Sequence, residues 1–171
     1  MRASWVIAFL LGSAATTWSQ IVYYATFTGE NYAKKTWHRS SLAAFKADPP
    51  ADVYDSYTVE RHRTGSTRVH RDYTTPSGDW RFELTYDYGR DAHLRRIRSV
   101  FVTFAGITTS GEAEGLTRCV RTFSVLPDGT LRQTAERITD TKSGRVVTRQ
   151  FYQPRVEHWT SLSQLPIAPD T

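Results

Sequence analysis

Between Trp80 and Tyr88, large apolar side chains take every second position: Trp80, Phe82, Leu84, Tyr86 and Tyr88 alternate with Arg81, Glu83, Thr85 and Asp87. A period of two belongs to a β-strand with one buried face, and no helix gathers these five side chains on one side. Burying such a row contributes on the order of 8–15 kcal/mol, at roughly 1.5–3 per large side chain, before chain entropy is set against it. The strand therefore belongs in the middle of a sheet, and the rest of the chain has to supply that sheet.

Turn punctuation predicts that it does. Residues 53–63 and 67–75 flank Thr64-Gly65-Ser66, with Val53, Tyr57 and Val59 on one parity and Val69 and Tyr73 on the matching one. A three-residue loop there sets Tyr57 opposite Tyr73. Pro76-Ser77-Gly78-Asp79 and Gly89-Arg90-Asp91-Ala92 bound the aromatic strand. Residues 93–105 change parity partway, Leu94 in step with Val100 and Val102 but Ile97 with Phe101, which predicts a bulged strand. Residues 107–115 read as a loop. Strands follow over 116–126, 131–140 and 145–153, separated by Pro127-Asp128-Gly129 and Thr141-Lys142-Ser143-Gly144. Residues 156–167 add a short edge segment, and 168–171 read as a disordered tail.

Ahead of these strands, residues 21–27 are β-branched and aromatic and read as a short strand or an extended lead-in. From about 30 to 46, Ala33, Trp37, Ser41, Ala44 and Phe45 recur at helical spacing, Thr28 stands as an N-cap, and Asp48-Pro49-Pro50 is a stop. The fold class expected is mainly β (α+β). Its core is a strongly curved antiparallel meander sheet or incomplete barrel of six to eight strands, or a closed barrel, with one N-terminal amphipathic helix packed on it.

The first nineteen residues read as a cleavable signal peptide. Arg2 gives a short positive start, and the apolar run from Trp5 to Leu11 is too short to span a bilayer core of roughly 30 Å. Cleavage fits after Ala15 or after Ser19, and the second choice starts a single β-rich domain, 20–167, at Gln20. The expected location is periplasmic or secreted, with no integral membrane segment in the mature chain. The full chain carries 22 Lys+Arg against 17 Asp+Glu, a formal +5. That falls short of the clustered footprint of a nucleic-acid binder. A single cysteine, Cys119, excludes an intramolecular disulfide and a Cys-rich zinc site, and reads as a small buried hydrophobe.

Chemistry-bearing patterns are sparse. The five histidines form no His-x-x-x-His pair, no Gly-x-Ser-x-Gly elbow occurs, and no cofactor is expected. Glu60, His62, His70 and Asp72 fall on one face in the hairpin register above, with Glu60 opposite His70 and His62 opposite Arg68. Two imidazoles and two carboxylates are the raw material of a metal site or an acid/base pair, but the arginines among them fit a solvated polar face. The basic stretch His93-Leu94-Arg95-Arg96-Ile97-Arg98 is either solubilising or a contact for an anionic headgroup or polyanion.

Two functions of different class follow. In one, the chain is a non-enzymatic carrier or binder of a lipid-like ligand, held on an apolar face of Trp37, Phe45, Trp80, Phe82, Leu84, Tyr86 and Tyr88, which demands an elongated, mostly apolar cavity. In the other, that face is a filled core, and the protein is an envelope or secreted interaction module that meets a protein partner elsewhere. The order signal peptide, helix, hairpin, then Pro76, Gly78, Trp80, Arg81 and Phe82, and a late Asp128-Gly129-Thr130-Leu131 turn resembles the LolA and LolB family of half-barrel lipoprotein carriers. That resemblance implies a periplasmic protein holding acyl chains between a sheet and its helix.

Overall fold

A computed structural model describes residues 20–28, 34–75, 77–104, 107–108, 111–112, 116–147 and 154–167. The expected signal peptide and tail, and residues 148–153 of the expected last strand, lie outside them. Eight strands form one open antiparallel sheet: β1 (Ile21–Thr28), β2 (Lys34–Ser41), β3 (Val53–Arg61), β4 (Thr67–Thr74), β5 (Trp80–Tyr88), β6 (Leu94–Thr103), β9 (Thr117–Val125) and β10 (Leu131–Asp140). Their order is β10-β9-β6-β5-β4-β3-β1-β2, so the sheet is not closed. From β3 to β10 it is a meander, interrupted by a small hairpin of β7 (Ile107–Thr108) and β8 (Gly111–Glu112) inside the expected loop.

The aromatic strand forms with the boundaries its alternation predicts, and it pairs with β4 and β6 in the sheet interior. β6 is bulged as expected: Tyr88 faces Leu94 while Asp87 faces Arg96, and the extra residue brings Leu94 and Ile97 to the same face. The β3–β4 hairpin differs from expectation by a register step of two. Tyr57 faces Arg71 and Asp55 faces Tyr73, because the loop takes five residues, 62–66, with Gly65 at φ 83. A slip of two leaves every side chain on its expected face.

The N-terminal helix is a correction. Lys34–Ser41 is an edge strand paired along its length with β1, and only Leu42–Ala47 (α1) is helical. The helical stripe expected here was weak, and strand pairing satisfies the polar backbone of β1 on both sides, which outweighs propensity. Ser41, not Thr28, is the N-cap, its hydroxyl accepting from the Ala44 N–H at 3.1 Å. The helix ends at Asp48, before Pro49, as the sequence requires.

One face of the sheet buries Tyr23, Tyr57, Val59, Val69, Phe82, Leu84, Tyr86, Tyr88, Ile97, Phe101, Cys119 and Phe123. What covers it is residues 154–167, read from the sequence as an edge segment and here a strap across the face. Val156, Trp159, Leu162, Leu165 and Ile167 pack on the core, and a 3₁₀ turn, Leu162–Gln164, closes against the β5–β6 turn through the Leu162 N–H to the Ala92 carbonyl. α1 lies on the other side, where Phe45 stacks on Tyr24 with centroids 5.1 Å apart.

Candidate functional site

The strap face is an aromatic surface with polar groups aimed at the strap. Tyr86 donates its hydroxyl hydrogen bond to the Glu157 carbonyl at 3.1 Å, and Tyr88 donates to the Trp159 carbonyl at 3.3 Å. Arg121 on β9 donates to the Pro154 carbonyl at 3.1 Å. The Trp159 ring meets Tyr57 and Tyr86 at centroid distances of 6.3 and 5.7 Å. At the far end His158 contacts the Gly129 carbonyl, where φ of 83 and Thr160 Cγ2 lying 2.9 Å from a would-be Cβ both call for glycine.

Beneath the strap, alternation on β3 and β4 sets Asp55 and Arg71 among the aromatics. Asp55 is 1% exposed, and Arg71 grips it with Nε and Nη2 at 2.9 and 3.0 Å. Lys35 on β2 reaches the same carboxylate at 2.6 Å, and Arg71 Nη1 reaches Glu157 of the strap at 2.7 Å. The guanidinium lies between the rings of Tyr57 and Tyr73, 5.2 and 5.1 Å from their centroids. Burial pulls the Arg71 pKa down, but hydrogen bonding and the charge of Asp55 outweigh it and hold the group firmly protonated. Both carboxylate oxygens of Asp55 are engaged, so this cluster locks the strap rather than presenting a base to a substrate.

Burial drives the Tyr57, Tyr86 and Tyr88 hydroxyls well above the ordinary tyrosine range. Among the described residues the Tyr57 hydroxyl finds no hydrogen-bond partner, nor do Ser99 Oγ and Arg121 Nε, which sit opposite one another across β6 and β9. Cys119 is 1% exposed, and burial raises its thiol pKa, the behaviour of an inert core residue.

Of the residues expected to line an apolar site, Phe82, Leu84, Tyr86 and Tyr88 are buried on the strap face, with Trp37 and Trp80 half-buried at its margins. Phe45 is separated from them. It sits on the opposite side of the sheet at the rim of a hollow of about 510 Å³, which Asp52, Ser56, Asp72 and Arg81 also line. Arg71, Asp55 and Trp159 were missed. Parity alone sets Asp55 with Tyr57 and Val59, and Arg71 with Val69 and Tyr73, so both charges were legible on the apolar face; their pairing, and Trp159 above them, needed the fold.

The Glu60, His62, His70, Asp72 set does not converge. His62 lies in the turn, Glu60 accepts from Gln20, His70 bonds Thr85 at 2.8 Å, and Asp72 pairs with Arg81 at 2.9 Å. Among the described residues, no group of three His, Cys, Asp or Glu side chains could hold a metal ion. Nor is any helix among them long and apolar enough to cross a membrane.

No family model, curated protein or solved structure matches this chain.

Proposed function

We propose that the mature chain is an exported, non-enzymatic interaction module whose aromatic face is occupied by its own C-terminal strap. The supporting observation is the pair of tyrosine hydroxyls, Tyr86 and Tyr88, hydrogen-bonded to strap carbonyls directly over the row that a carrier would offer to acyl chains. Arg71, Asp55 and Arg121 on the same face add to this, since an acyl site is lined by few polar groups. The partner is then met on surfaces away from the strap.

The carrier alternative keeps one observation of its own. Ser99 Oγ and Arg121 Nε are buried without partners among the described residues, and a carboxylate headgroup would accept from both. Titration of the full mature chain with a fluorescent long-chain fatty acid separates the two. The interaction module is expected to give no saturable signal. Saturable binding of one probe per chain, displaced by unlabelled fatty acid and weakened by Ser99→Ala, would establish the carrier instead.

A further inference from the structure

The face opposite the strap segregates charge by strand. On β3, β4 and β5 it carries Glu60, Asp72, Glu83 and Asp87 with Arg68 and Arg81, four carboxylates against two guanidinia. On β6, β9 and β10 it carries Arg96, Arg98, Arg118, Arg132 and Arg137, and among the described residues no carboxylate on these three strands points the same way. Arg96 shares Asp87 with Arg68, whereas no described carboxylate bridges Arg98, Arg118, Arg132 or Arg137. Between them Val100 is buried, at 2% exposure, with the half-buried Val102 and Val120 beside it.

Strand spacing near 4.8 Å and two-residue repeats of about 7 Å spread these five charges over an area of roughly 10 by 20 Å. Sheet twist of about 20–25° per strand turns β9 away from β4 by about 60–75°. A planar anionic surface laid on β9 and β10 therefore tilts away from the carboxylates of β3 and β4. Arginine forks suit phosphate oxygens.

We infer that the β6–β9–β10 part of this face docks the protein on an anionic phospholipid surface. The inference rests on the interaction-module proposal and names its partner. Each arginine near such a surface strengthens partitioning about fivefold, so losing three weakens it about 100-fold.

The test is sedimentation of the mature chain with phosphatidylcholine vesicles with and without about one-quarter phosphatidylglycerol, at low and high salt. Binding is expected only to the anionic vesicles, lost at high salt and reduced about 100-fold in R98Q/R118Q/R137Q. R61Q/R90Q/R155Q, which removes the same charge from exposed positions elsewhere, is expected to retain most of it. Circular dichroism checks that both variants fold. Equal binding to neutral vesicles, full binding by R98Q/R118Q/R137Q, or no vesicle binding while a DNA duplex or poly-glutamate is bound would overturn the inference. Anionic-vesicle binding together with saturable fatty-acid binding would support docking while removing the filled-face reading, so the two failures are distinguishable.

Discussion

Replacing Arg71 by methionine is expected to destabilise the fold by about 3 kcal/mol, a fall in Tm of about 6–12 °C for a domain of this size. Methionine keeps most of the side-chain volume between Tyr57 and Tyr73, so the loss is electrostatic. It leaves Asp55, 1% exposed, with Lys35 as its remaining cation, and frees Glu157 from the sheet. Lys35 is 36% exposed and compensates in part, which sets the figure at the low end for a broken buried pair. Arg71→Met combined with Asp55→Asn is expected to recover more than half of the loss, because the uncompensated buried charge is then gone. Urea unfolding of both variants measures this. A loss below about 0.5 kcal/mol for Arg71→Met would mean that the pair behaves as a solvated surface bridge.

Alkali is the second lever. Tyr57, Tyr86 and Tyr88 hold their protons in the folded chain, through burial, well beyond the value near 10 at which the unfolded chain releases them. Above that pH the folded state binds more protons than the unfolded one, so stability falls as pH rises. Stability from these groups is fully present below about pH 10. Three such groups give a slope of about 4 kcal/mol per pH unit above it. Unfolding free energies at about pH 9, 10 and 11 measure that slope. Tyr57→Phe removes one group and a buried hydroxyl with no partner, so it is expected to cut the slope by about a third and to be neutral or stabilising at pH 7. A flat profile would show that the strap leaves these rings open to solvent.

Much of the sheet was legible because a period of two survives tertiary context. The row from Trp80 to Tyr88 and the parity change after Leu94 each carried their own evidence, and both formed as read. The β3–β4 register was half legible: parity fixed the faces, but the loop from His62 to Ser66 decided the pairing, and its length is invisible to alternation. Trp37 misled, because a strand and a helix can both bury one tryptophan, and the choice was made by β1 needing a second neighbour. The strap left little trace, as Val156, Trp159, Leu162, Leu165 and Ile167 follow neither a strand nor a helix period. Their burial comes from a crossing of the sheet that local pattern cannot encode. The charge segregation of the far face emerges only from strand order, which brings Arg98, Arg118 and Arg137 onto one face from three separate stretches of chain.

That the aromatic face is filled by the chain itself is tested most directly by native mass spectrometry of the protein purified without detergent. The expected spectrum shows the mass of the polypeptide with no adduct of lipid size, unchanged when collision energy is raised. A stoichiometric lipid-sized adduct that leaves at higher energy, and is lost from a Tyr86→Ala variant, would contradict it.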